Sequence, residues 1–192
     1  LCFAALFAGL LATFPGDVTQ FNLAVRLRPP DSTYWFGTDR MGADLYSRML
    51  YGARITILIA VMATGAAVLI GVPIGLVAGY YGSRFGDALM RVSDVFMAVP
   101  QIVLAIAIAQ TLGPALHNVV LALSLTYWPY WARLVYAETR SVRNEIFVEA
   151  AVAMGASPWR VMFLHILPSI SSSVIVRTTI GMGGTILSVA AL

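Results

Sequence analysis

The chain has 192 residues, of which 59% are hydrophobic and 11% charged, with a mean hydropathy of +0.83 and a net charge of +3. A soluble domain carries about a quarter charged residues, so this chain cannot build a water-facing surface and lipid must cover much of it. All twelve cations are arginine, which excludes a Walker A phosphate loop, because that loop needs a lysine to reach the β- and γ-phosphates.

Residues 1–14 are apolar, but a spanning helix needs roughly 20 residues. No basic segment precedes them, and Pro15-Gly16-Asp17 lacks small-x-small cleavage spacing, so a truncated first transmembrane helix is expected rather than a signal peptide. Residues 15–54 hold four Asp, five Arg and the Pro29-Pro30 pair. They predict a loop ending in a short helix around residues 44–51. Residues 55–79 carry no charge and span. Within them Ala63, Ala67, Gly71, Gly75 and Gly79 recur every fourth position, a ridge that lets helix backbones approach closely in lipid.

Residues 80–94 read as a polar connection with Arg84, Asp87, Arg91 and Asp94. The next span, 95–112, is interrupted at Pro100-Gln101, where proline removes a backbone hydrogen bond that neighbouring helices must replace. Residues 113–118 turn the chain and 119–137 return it. The group Tyr127, Trp128, Tyr130 and Trp131 beside Arg133 reads as an interfacial belt with a snorkelling arginine; stacking on a substrate is the other reading. Residues 138–165 are a second polar stretch. Residues 166–192 are the last apolar segment, broken by Pro168, by Ser169, Ser171, Ser172 and Ser173, and by Arg177. Apolar sequence at both ends makes a fragment the expectation. The two connections 80–94 and 133–165 hold six arginines against five in 15–54, so positive charge alone does not orient the chain.

The segment from Glu145 to Arg160 predicts two short helices around a sharp turn. Residues 143–154 suit a helix, Gly155 suits the left-handed C′ position, and Ser157-Pro158 suits an N-cap followed by a first helical proline. The second helix is expected over 159–167, ending at Pro168. Ala150 and Ala151 would form a flat surface with Glu149 beside it, fit to sit in a partner's groove.

These residues resemble the permease subunits of bacterial ABC importers, whose signature (the EAA motif) is E-A-A, three residues, Gly, nine residues, then I-x-L-P. Glu149-Ala150-Ala151, Gly155 and Leu167-Pro168 stand at those spacings, and His165 replaces the general Ile, as in the dipeptide, oligopeptide and nickel branch. Trp35-Phe36-Gly37-Thr38-Asp39, Gly42, Asp44, Ser47-Arg48 and Tyr51-Gly52-Ala53-Arg54 are similar to the stretch before that branch's second span, with Ala43 in place of its usual Arg. Asp87 and residues 91–100 agree.

The resemblance implies an all-α, polytopic transmembrane helical bundle of the ABC importer permease type. Here it would hold about five of six spans, the first truncated, in the bacterial inner membrane. Residues 15–54 would be external and residues 55–192 the permease core, with a cytoplasmic coupling loop over 138–165. Glu149, Ala150, Ala151, Gly155, Ser157 and Pro168 would couple the chain to separate ATP-binding cassette ATPase subunits. Its other partners would be a second, homologous permease subunit, an external solute-binding protein and membrane lipid.

Gln101 and Arg177 are the expected polar residues of the translocation path. Arg177 lies nine residues past Pro168, about 13 Å along a helix. It would line the path or grip a peptide carboxylate, or else snorkel to the cytoplasmic surface. Glycines 181, 183 and 184 read as packing contacts.

Other functions find less in the sequence. The arginines lie singly, not on one basic face, against nucleic-acid binding. One cysteine (Cys2) and two scattered histidines (His117, His165) give a metal or cofactor site nothing to build on. A membrane-embedded enzyme would need H-E-x-x-H, G-x-S-x-G or paired intramembrane aspartates, and none is present. The remaining alternative, a self-contained channel or secondary transporter, predicts internal repeats and facing polar residues across several spans. The sequence shows no repeat.

Overall fold

The computed structural model describes residues 7–14 and 22–191; residues 1–6 of the expected first span, and residues 15–21 of the expected loop, lie outside them. The chain divides into two compact units, Leu1–Leu58 and Ile59–Leu192. Among the described residues all regular structure is helical, apart from one isolated bridge between Thr38 and Asp44.

In the first unit, α1 (Ala8–Leu11) is a single turn, and the loop is folded by its own polar groups. Asp39 Oδ1 accepts from the backbone N–H of Met41 (2.7 Å) and of Ala43 (2.9 Å), while its other oxygen pairs with Arg48. Partial burial pushes the Asp39 carboxyl up, but the Ala43 and Met41 amides and the Arg48 guanidinium outweigh it and hold the pKa below the usual value. The amides of Tyr34 and then Thr33 lower Asp31 in the same way. Gly42 has φ +80°, and a Cβ there would overlap the Asn22 carbonyl oxygen, so the turn demands glycine twice over. Asp44 caps the next helix, accepting from the amide (3.0 Å) and hydroxyl (2.7 Å) of Ser47.

That helix, α2 (Leu45–Tyr81), runs 37 residues without a break, about 55 Å at 1.5 Å per residue. The expected short helix at 44–51 is therefore its first turns, because Gly52 at the junction stays helical and no proline intervenes. Pro73 lies inside it.

In the second unit the ridge on α2 faces α5 (Leu116–Val142). A Cβ at Gly71 would lie 2.6 Å from Trp131 Cβ, and one at Gly79 would lie 2.7 Å from Thr139 Cβ. The two backbones meet as small residues permit.

Residues 80–94 are a helix rather than a polar connection. Gly82 alone separates α2 from α3 (Ser83–Met97), which buries Gly86, Met90 and Ser93 on one edge and exposes Arg84, Asp87, Arg91 and Asp94 on the other. Charge at a helical period is an amphipathic helix, not a loop. The expected interruption of the 95–112 span at Pro100-Gln101 is a sharp bend, and the stretch before it belongs to α3. Pro100 ends the run, and α3 meets α4 (Gln101–Leu112) at 81°.

The helix α5 is the hub, packing against α3, α4 and the last helix. Its Trp128 and Trp131 are 8% and 2% exposed, and Arg133 pairs with Asp94. This corrects the interfacial-belt reading. Interior rings on a central helix follow the same spacing as a belt, and the sequence does not separate the two.

Beyond α6 (Ile146–Ala153), α7 (Pro158–Arg160) continues through a π-helical turn, Val161–Ile166, into α8 (Leu167–Ala191). Pro168 does not end a helix, contrary to expectation. The Leu167 N–H reaches back to the Met162 carbonyl, and this widened turn relieves the clash a proline ring makes with the carbonyl four residues earlier. By length and composition α2 and Pro158–Ala191 are able to cross a membrane, and the bent α3–α4 pair makes a third if it is one span.

Candidate functional site

Two places gather the residues the sequence singled out. The first is the surface helix α6 and its exit turn. Val148 and Ala151, three apart, are each 2% exposed and sit in a cluster with Leu76, Val135, Met162 and Ile166. The rest of the helix, Glu149 and Ala150 included, is exposed. The expected flat Ala150–Ala151 surface is corrected on this point: adjacent positions lie about 100° apart on a helix, so one is anchor and the other surface.

The exit is a Schellman turn. Gly155 N–H donates to Val152 O (2.9 Å), Ala156 N–H donates to Ala151 O (3.1 Å), and Gly155 has φ +83°. Nothing lies within 4 Å of a Cβ built there, so conformation rather than space requires the glycine. Ser157 takes the extended N-cap conformation before Pro158, yet its side chain caps nothing; its carbonyl accepts from Val161 N–H (3.0 Å).

Beside Glu149 lies a cleft of about 430 Å³, also lined by Tyr80, Arg143, Asn144 and Val152. The Arg143 guanidinium stands over the Tyr80 ring at 5.6 Å. Sequence reasoning missed Tyr80 and Arg143 here, because only the fold joins the end of α2 to the segment before α6.

The second place brings Gln101 and Arg177 to either side of one residue, Tyr130. A cavity of about 160 Å³ is lined by Gln101, Thr64, Tyr127, Tyr130, Trp131 and Thr185. Its polar groups are largely partnered: Thr64 Oγ1 donates to Thr185 Oγ1 (3.1 Å), and the Tyr127 and Ser188 hydroxyls share a 2.7 Å bond. Tyr130 packs edge-on to Trp131, 5.3 Å between centroids, and its hydroxyl accepts from Arg177 Nη1 (3.1 Å). Gly181 packs against Trp131, 3.1 Å from a Cβ position to the ring, whereas Gly183 and Gly184 face open space. Thr64 and Thr185 were missed as lining residues, whereas Tyr127, Tyr130 and Trp131 belong to the aromatic group whose other reading is stacking on a substrate.

A charge-poor bundle of long apolar helices, with a surface helix–turn–helix, defines a multi-pass membrane protein. The chain belongs to the family of binding-protein-dependent transport system inner membrane components, which its residues 71–192 match. It is 40% identical to the dipeptide transport system permease protein DppC of Alkalihalophilus pseudofirmus, over 98% of this chain and 61% of that protein. It is 36% identical to the probable D,D-dipeptide transport system permease protein DdpC of Escherichia coli (97% and 62%). Against the oligopeptide transport system permease protein OppC of Bacillus subtilis the figure is 34% (92% and 57%). The chain thus spans about three fifths of the length of these curated relatives. Membership makes it a multi-pass component of the bacterial inner membrane.

Proposed function

We propose that this chain is the membrane-spanning subunit of an ATP-driven peptide importer, with α6 docking on separate ATP-binding cassette ATPase subunits. The observation that carries the reading is the way α6 is held. Two buried residues anchor one edge, and Glu149, Ala150 and most of its circumference stay exposed beside a cleft. A helix anchored along one edge, with the rest of its surface open, is built to receive a second chain there.

The same two anchors sit in a core shared with Leu76 of α2, Val135 of α5 and Ile170 of α8. Closely packed side chains move together, so closure of the ATPases would displace α6 as a rigid body and carry the spanning helices with it. ATP would be hydrolysed on the partners, and this chain would do no bond chemistry. Residues 15–54 would face outward to a solute-binding protein, residues 138–165 would face the cytoplasm, and a second homologous permease would complete the path. The names of the relatives above favour peptides over nickel as cargo.

The test is Glu149→Arg in the reconstituted transporter. The position is exposed, so folding is unaffected. Uptake should fall about tenfold or more while the ATPases continue to hydrolyse ATP, as reversal of an interfacial charge implies. Gly155→Pro, which forbids the positive φ, should uncouple likewise. Wild-type uptake by both variants would refute the docking assignment.

A further inference from the structure

Between α5 and α8 lies a depression of about 380 Å³ lined by Leu134, Glu138, Ser172, Ser173, Val176 and Arg177. It holds one carboxylate and one guanidinium, and the two are not paired with each other. Among the described residues the ion pairs are Arg48–Asp39 and Arg133–Asp94. Arg133 also lines the groove next to Arg177, so the nearby Asp94 charge is already taken. Arg177 keeps a single neutral partner, the Tyr130 hydroxyl, which fixes its head without cancelling its charge. The Glu138 carboxylate accepts no hydrogen bond, and the hydroxyls of Ser172 and Ser173 make none, within the described residues.

An uncompensated guanidinium on a spanning helix is costly and is retained where it meets a charge. Here the opposite charge lines the same depression and is left apart from it. The complementary ligand is therefore a molecule carrying both charges. We propose that Arg177 and Glu138 form a two-ended clasp for a zwitterionic peptide. The guanidinium takes the terminal carboxylate, which its planar fork suits, and Glu138 takes the terminal ammonium. Ser172 and Ser173 offer hydroxyls to the backbone between. The clasp reads termini and leaves the side chains unread. The Arg177–Tyr130 bond links it to the cavity holding Gln101, so the two form one polar track along α5 and α8. This inference rests on the peptide-importer reading above.

The test measures equilibrium binding of radiolabelled trialanine to the assembled transporter in nanodiscs without its solute-binding protein. Competing ligands are N-acetyl-trialanine and trialanine amide. In the wild type each blocked peptide should compete about tenfold or more weakly than trialanine, the scale of one lost charge-assisted contact. Arg177→Gln should bind trialanine no better than the amide and lose discrimination against the amide alone. Glu138→Gln should lose discrimination against the acetylated form alone. A lipid-anchoring role for Arg177 would leave both discriminations intact in every variant and overturns the clasp. So does equal loss for all three ligands, which marks a folding defect or a coupling role. Uptake of trialanine into wild-type proteoliposomes with the binding protein present is scored separately. Uptake without end-selective binding refutes the clasp and leaves the importer reading standing; no peptide uptake refutes the importer reading and the clasp with it.

Discussion

Replacing Gly75 by alanine tests the seam between α2 and α5. The added Cβ would overlap the Ala132 carbonyl oxygen and lie 2.9 Å from Val135 Cβ and 3.0 Å from Tyr136 N. Carbon atoms attract best at about 3.5–4.0 Å, so the backbones must part by roughly 0.6–1.1 Å. Parting at Gly75 also loosens the contacts at Gly71 and Gly79, four residues to either side. Overpacking of this kind costs about 1–3 kcal/mol, and alanine returns about 1 kcal/mol of helix propensity. The net loss is up to about 2 kcal/mol, or up to about 8 °C in the unfolding midpoint of a domain this size.

Gly65→Ala is the control on the same helix. Nothing lies within 4 Å of its Cβ position, so only the propensity gain remains and its midpoint should rise. Thermal unfolding of the purified protein in detergent, followed by circular dichroism, compares the two. If Gly75→Ala melts at or above Gly65→Ala, the close approach of α2 to α5 is wrong.

Other outcomes follow from the loop and the helix ends. The depressed Asp39 pKa means its stabilising contacts are complete above the unfolded-state value, about 3.9, and are lost as pH falls through the lower folded value. Hydrogen-exchange protection of the Met41 and Ala43 amides should hold from pH 7 down to about 4, the ordinary carboxylate value, and weaken only below it as pH falls through the lowered folded value; protection lost already at about pH 5 would contradict the assignment. Asp44→Ala should cost about 1 kcal/mol through the lost cap, whereas Asp44→Ser should be close to neutral, since it keeps an acceptor and removes the buried, unpartnered Oδ1; denaturant midpoints distinguish them. Pro168→Ala frees the Val161–Ile166 turn to become α-helical, turning α7 by about 100° against α8. It should raise the melting temperature yet lower uptake, and unchanged uptake would mean that the π turn does not set how α6 and α7 are presented.

Local signals were legible where a single residue controls its own backbone. Gly155 was read as C′ from its missing Cβ, and the structure gives it φ +83° in a Schellman turn. The small-residue ridge was legible because helical spacing puts Ala63 to Gly79 on one face whatever that face meets. Misreadings came where two environments leave the same pattern. Arg84, Asp87, Arg91 and Asp94 suit a polar connection or an amphipathic helix, and α3 packing on Ala78 and Trp128 selected the helix. Trp128 and Trp131 suit a membrane interface or an interior, and neighbours on several sides of α5 put them inside. Pro168 suits a helix end or a wide turn, and continuation into α8 required the turn.

Composition settled that the chain lies in lipid, since 11% charged residues cannot cover a surface in water. The missing lysine ruled out a Walker A site, and Glu149, Gly155 and Pro168 carry the resemblance to the family that residues 71–192 match. Tertiary structure decided what these residues face. It split Ala150 from Ala151 into surface and anchor, brought Tyr80 to Arg143, and joined Arg177 to Tyr130 across 47 positions. It also left Arg177 and Glu138 lining one depression without pairing. Periodicity fixes which residues share a helix face, but the partner of that face comes from another part of the chain, and only packing brings the two together.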